Sequence, residues 1–203
     1  MEEQEKSMEG PCRGLKIAHE NVSPRAKHRY HLWLIPETQV ASRVKAVIDH
    51  LSETWHAPRF APHLTLWGGI EGEHVQVQLA ASRLASTLAP LSLEIAAPAY
   101  GMEYFRCVYL RVVETPALRQ AHTQARTLFG CREATTFSPH ISVLYGRYSD
   151  TVKQRVVATL SNWCGITFET RELSLIRSES EDPQDWHVIA TFPLSRRPES
   201  ESW

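Results

Sequence analysis

Two kinds of hydrophobic spacing alternate along this chain. Tyr30 to Ile35 is an aromatic and aliphatic run closed by Pro36, which reads as a strand. Thr38 then stands where a helix cap belongs. Val40, Val44, Val47, Ile48 and Leu51 follow it at spacings of three and four. Alternation at period two returns over His63 to Trp67, where Gly68-Gly69 is expected to stop the strand. Helical spacing resumes through Val75, Leu79, Leu84 and Leu88, up to Pro90. Leu91 to Ala97 and Cys107 to Val113 are strand-like. Thr115-Pro116 opens a third helix through Leu118, Ala121, Ala125 and Leu128, and Gly130 ends it. His140 to Tyr145 reads as a strand, and Ser149 or Asp150 caps a helix through Val152, Val156 and Leu160. Two last strands cover roughly Ile166 to Ile176 and Trp186 to Leu194.

This order is a weak duplication. Each half holds a strand, a helix and a second strand, then another helix and strand. The fold class it predicts is α+β: two antiparallel sheets with outer helices and a central groove, in one bilobal domain over 29–194. Residues 1–28 and 195–203 lack sustained periodicity and read as flexible tails.

The duplication is clearest at ten residues. Phe60-Ala61-Pro62-His63-Leu64-Thr65-Leu66-Trp67-Gly68-Gly69 recurs 77 positions later as Phe137-Ser138-Pro139-His140-Ile141-Ser142-Val143-Leu144-Tyr145-Gly146. Pro62 and Pro139 keep the preceding residue out of helical angles, so a strand starts at each histidine. Residues two apart on a strand share a face. Leu64, Leu66, Ile141 and Val143 can therefore face a core, while His63 and Thr65, like His140 and Ser142, face the other way. Histidine titrates near neutral pH, so one imidazole can serve as general base and the other as general acid. Thr65 and Ser142 can donate hydrogen bonds to oxygens that gain charge in a transition state. Such a set suits attack on a phosphodiester.

Composition narrows the substrate and the setting. The 203 residues carry a formal charge of −1 with both signs interspersed, so a small anionic substrate is expected and a long nucleic acid is not. Cys12, Cys107, Cys131 and Cys164 form no C-x-x-C and no zinc spacing, and reduced thiols in the cytoplasm are expected. The acidic start lacks the apolar core of a secretory signal, and no stretch is apolar enough to span a membrane. Neither motif contains a carboxylate, and H-E-x-x-H and G-x-S-x-G are absent. The expectation is a metal-independent, cofactor-free monomer with a small-molecule substrate.

His63-Leu64-Thr65-Leu66 and His140-Ile141-Ser142-Val143 resemble the signature of the 2H phosphoesterase superfamily. Tyr30-His31-Leu32-Trp33-Leu34-Ile35-Pro36 resembles the first strand of its plant-type cyclic nucleotide phosphodiesterases, and Phe105-Arg106-Cys107-Val108-Tyr109-Leu110 their central strand. Ser138 to Gly146 is similar to their second motif, and Ser178 to Asp182 with Trp186 to their acidic loop. The resemblance implies a bilobal 2H phosphoesterase fold and hydrolysis of five-membered cyclic phosphates. It extends to ADP-ribose 1″,2″-cyclic phosphate opened to the 1″-phosphate, and nucleoside 2′,3′-cyclic phosphates opened to 2′-phosphates. By the same resemblance His140 is the base toward water, His63 the acid toward the leaving oxygen, and Thr65 and Ser142 hold the phosphate. Tyr145 matches a tyrosine that approaches it. Trp33 aligns with an aromatic that stacks on a base, although a core tryptophan fits its position as well, and Tyr104 falls where relatives place a second aromatic. Trp67, Trp186, Phe60 and Phe137 are expected to pack, while Arg106, Arg147 and Arg177 are arginines able to attract phosphate. Two departures stand out: Cys131 lacks the near partner of a cysteine pair, and His31 replaces a smaller polar residue. An RNA-end processor of the 2′–5′ ligase type and a non-catalytic nucleotide-binding module are the alternatives.

Overall fold

A computed structural model describes residues 29–130 and 136–195. The tail expected over 1–28, the tail beyond Ser195, and Cys131 lie outside the described residues. The chain runs β1 (Arg29–Leu34), α1 (Thr38–Trp55), β2 (Leu64–Glu71), α2 (His74–Thr87) and β3 (Leu91–Tyr100). It continues through β4 (Val108–Val112), α3 (Pro116–Leu128), β5 (His140–Leu144), α4 (Asp150–Thr159), β6 (Thr167–Thr170), β7 (Glu172–Ser178) and β8 (Trp186–Pro193).

The expected α+β class is what the structure shows, and the two halves meet in one curled sheet. The strand order is β6-β3-β4-β5-β2-β1-β7-β8, with every pairing antiparallel. The halves are joined at its centre by a single paired position, Leu64 with Ile141. One lobe holds β1, β2, β7 and β8, and the other β3 to β6. The chain thus crosses over at β3 and returns at β7, so the duplication in sequence is not a division of the chain into two halves.

Each motif strand is backed by the helix that precedes the other motif: α1 packs on β5, and α3 on β2. Leu64, Leu66, Ile141 and Val143 are each 0–1% exposed and belong to the main hydrophobic cluster. Burying such side chains stabilises by about 1.5–3 kcal/mol apiece, which fixes the register of both motifs. A one-residue slip would turn the histidines into this core.

Several boundaries differ from the sequence pattern. Gly68-Gly69 does not stop β2; the strand runs on to Glu71, with Gly69 at φ 69° and a register shift against β1. Glycines in a strand here mark an irregularity, not an end. A Cβ on Gly68 would stand 3.0 Å from Nδ1 of His31, so the bare backbone makes room for that ring. The buried face of α2 is Val77, Ala81, Leu84 and Ala85, whereas Val75 and Leu79 point to solvent. The expected strand over Ile166 to Ile176 is two strands broken at Arg171, one beside β3 and the other beside β1. Among the described residues no helix is long and apolar enough to cross a membrane.

Candidate active site

Opposite the helices, the centre of the sheet carries the polar half of both motifs. Extending the Leu64–Ile141 pairing one residue each way sets His63 opposite Ser142 and Thr65 opposite His140. Directly opposed residues have Cβ atoms roughly 4.5–5.5 Å apart, and diagonal ones roughly 7–8 Å. The two imidazoles are therefore diagonal neighbours, as are the two hydroxyls. His63 feels the charge of His140, as expected at that separation.

The backbone prepares both rings alike. Nδ1 of His63 donates to the carbonyl of Ala61, and Nδ1 of His140 to that of Ser138, each at 2.7 Å. A carbonyl can only accept, so the proton is on Nδ1 and a neutral ring presents an unprotonated Nε2. The residue between each carbonyl and its ring is the motif proline, which keeps Ala61 and Ser138 out of helical angles.

Aromatic side chains flank the pair. β1 sets Trp33 opposite Thr65, and β4 sets Tyr109 opposite Ser142. Trp33 stacks on the His63 imidazole, with centroids 3.5 Å apart and planes 6° from parallel. Tyr109 meets His140 edge to face at 5.1 Å. Both are buried yet outside the main hydrophobic cluster. Trp33 is 5% exposed, with one face against His63.

Ser142 donates its hydroxyl hydrogen to the carbonyl of Phe105 at 2.8 Å. Burial holds the Tyr145 hydroxyl well above the usual phenol range, with neighbouring Ser142 opposing the shift. Tyr145 is buried, stacked on Phe60 at 3.7 Å, and meets Phe105 and Trp186 edge to face. Tyr104 is half-buried against Phe105, with Tyr145 farther off at 6.4 Å. Trp186 joins this cluster, contacts Trp33 at 5.9 Å, and is tied by Nε1 to the carbonyl of Ser180. Thr65 is half-buried beside Trp33.

Burial disfavours charge on both imidazoles. It holds His63 down at about 3, against the opposing pull of its bond to Ala61. His140 is lowered by burial and by the Arg106 guanidinium, while its bond to Ser138 and nearby Glu103 oppose the shift. His31, one turn of the pleat from Trp33, is also held down, at about 4, by burial and then Arg29. Its Nε2 lies 2.9 Å from the Ser178 hydroxyl. Burial thus favours the neutral form of both site imidazoles, and an anion between them would favour the charged form of either.

Three contributors are not singled out as site residues by motif reading: Tyr109, Phe105 through its carbonyl, and Ser178 as a partner of His31; Arg106, read there as an arginine able to attract phosphate, is a neighbour of His140. The β4 register was the available signal, since Tyr109 and Arg111 alternate with the core residues Leu110 and Val112. Arg147 is exposed, and Arg177 is paired with Glu179 at 2.9 Å. Phe60 packs on Tyr145, while Phe137 and Trp67 lie against His122. Among the described residues no three His, Cys, Asp or Glu side chains are grouped to hold a metal ion. A cavity of about 530 Å³ lies away from the motifs, between α1 and α4, lined by Val47, Leu51, Trp55, Val156 and Trp163 among others.

Comparison with known proteins agrees with this geometry. Residues 29–198 match the family described as cyclic phosphodiesterase-like protein. A cyclic phosphodiesterase of Arabidopsis thaliana is 25% identical over 175 residues, covering 83% of this chain and 97% of that one. The apo structure of E. coli LigT superposes with a TM-score of 0.58 at 17% identity, over 85% of this chain and all of that one. A Thermus thermophilus protein, TT0787, superposes with a TM-score of 0.57 at 13% identity, over 84% of this chain and all of that one. The fold is that of the 2H phosphoesterases. The chain belongs to the cyclic phosphodiesterase-like family, and is a phosphodiesterase.

Proposed function

We propose that this protein opens small five-membered cyclic phosphodiesters by water, using His63 and His140 as a paired acid and base. The substrate class is ADP-ribose 1″,2″-cyclic phosphate and nucleoside 2′,3′-cyclic phosphates, giving the 1″-phosphate and the 2′-phosphates. One observation carries the reading: two imidazoles with Nδ1 committed to backbone carbonyls stand diagonally across two hydroxyls on adjacent strands.

In this reading Nε2 of neutral His140 takes a proton from water as its oxygen attacks phosphorus. The bond from phosphorus to one ring oxygen breaks, and Nε2–H of His63 gives that oxygen its proton. The phosphomonoester leaves with the water oxygen on phosphorus, and the two imidazoles exchange protonation states before the next cycle. General acid and base transfers of this kind contribute roughly 10²- to 10⁴-fold each. Thr65 donates to a non-bridging oxygen. Ser142 does so by releasing the Phe105 carbonyl, with Tyr145 beside it. Trp33 serves by holding His63; its π face favours the imidazolium that the acid role needs. Tyr104, on the half-buried side of the aromatic cluster, is left to meet the base.

The test is incubation of the full chain with both substrate types in the presence of a chelator, with phosphorus NMR of the products. Conversion to the 1″-phosphate or 2′-phosphate supports the reading. A folded protein that turns over neither defeats it, and release of a 3′-phosphate would reverse the assigned leaving oxygen.

A further inference from the structure

The two motifs are near copies, yet their surroundings differ in charge. Behind His63 stand Ala61, which has no side-chain hydroxyl, and the neutral ring of Trp33. Behind His140 stand Ser138 and Tyr109, and one guanidinium touches both. Nη2 of Arg106 donates to the Ser138 hydroxyl at 3.2 Å, and its Cζ lies 5.0 Å above the centre of the Tyr109 ring. Ser138 is also the residue whose carbonyl orients His140.

We propose that Arg106 is a positioning residue for His140: its guanidinium ties together the two supports of that imidazole, and nothing equivalent braces His63 among the described residues. Arg106 ends a short 3₁₀ turn, Tyr104–Arg106, between β3 and β4. That turn is built to be held still. Gly101 packs so closely beneath it that a Cβ would stand 2.8 Å from the Arg106 carbonyl. The carbonyl of Gly101 in turn accepts from Nζ of Lys153, which is 2% exposed and ion-paired with Asp150 at 2.7 Å. Arg106 makes no ion pair among the described residues, and its Nε–H is buried without an acceptor.

The cation has a consequence for chemistry. Facing His140 are Arg106 and Glu103 from the β3–β4 connection, Arg111 and Tyr109 from β4, and His63 and Thr65 from β2. Arg106 is the positive charge that acts on the ring most strongly, and it works with burial to keep the ring neutral. A base must be neutral before it accepts a proton. The two otherwise matched histidines thereby differ in their surroundings: a cation braces the supports of His140, and a π face lies against His63.

The inference deepens the function proposed above, but its main test needs no turnover. Histidine ring resonances of the unliganded full chain are titrated by NMR in wild type, Arg106→Gln and Arg106→Lys. Removing the charge is expected to raise the midpoint of His140 by roughly half a unit to one unit, with His63 moving much less. Arg106→Lys is expected to restore most of the wild-type value. With a cyclic nucleotide, the acid limb of kcat/KM moves up by the same amount in Arg106→Gln, a loss of about three- to tenfold on that limb. Arg106→Met, which keeps an unbranched apolar stem over Tyr109, repeats the titration if the glutamine variant does not fold. An unchanged His140 midpoint, or an equal shift of His63, overturns the assignment. Failure of turnover beside a shifted His140 overturns the proposed function and leaves the bracing intact.

Discussion

Acidification should unfold this protein well before its carboxylates are exhausted, because the groove stores neutral histidines. His63 and His31 are held at about 3 and about 4 in the native state, chiefly by burial, against 6.5 for an ordinary histidine. Above pH 6.5 both are neutral whether the chain is folded or not, and they add no pH dependence. Below it the unfolded chain binds two protons that the native state refuses, so stability falls as pH falls. A pH of 5 lies one and a half units below the unfolded value of each ring, at about 1.36 kcal/mol per unit. The pair therefore removes about 4 kcal/mol, out of a total of about 5–15 kcal/mol for a typical domain. The loss levels off only as pH passes the native values near 4 and 3. His140 and His122 are shifted in the same direction and add to it. The assay is urea unfolding at pH 7.5 and pH 5.0 for wild type, His31→Gln and His63→Gln. Each variant should shrink the difference between the two pH values by about 2 kcal/mol. If both variants lose as much stability on acidification as wild type does, the groove histidines are not held neutral and the reasoning fails.

Ser142→Ala should destabilise by about 1–3 kcal/mol in urea unfolding, because the Phe105 carbonyl loses a partner. No change would show that water replaces the serine without loss. Trp33→Leu should lower kcat with little change in KM, since the ring lies against His63; a raised KM at constant kcat would mark it instead as a platform for the substrate's base.

The sequence was most legible where one rule dominated. Pro62 and Pro139 start strands, the alternation of Leu64 and Leu66 with His63 and Thr65 picks their faces, and the helices follow their 3.6-residue spacing. Within the site, the same parity already separated His63, Thr65, His140 and Ser142 from the core. Trp33 was ambiguous because parity only placed it with His31, and the choice depended on its register against Thr65. The link from Arg106 and Ser138 to His140 escaped notice because it runs through a turn whose geometry is set by Gly101 and Lys153, 52 positions apart. The break at Arg171 is not visible in the sequence because no glycine or proline marks it, and only pairing with different strands, β3 on one side and β1 on the other, separates β6 from β7. Val75 and Leu79 misled because two exposed apolar residues on one helix can mimic a buried stripe.

A single-turnover comparison of wild type, His63→Ala and His140→Ala on one cyclic phosphate, with binding of inorganic phosphate measured alongside, bears most directly on the pairing of the two rings. Each alanine variant should keep its fold and its affinity for phosphate within a few-fold, yet turn over at least about 100-fold more slowly. Near-normal turnover by either one would mean that a single imidazole suffices, and the paired mechanism would have to be abandoned.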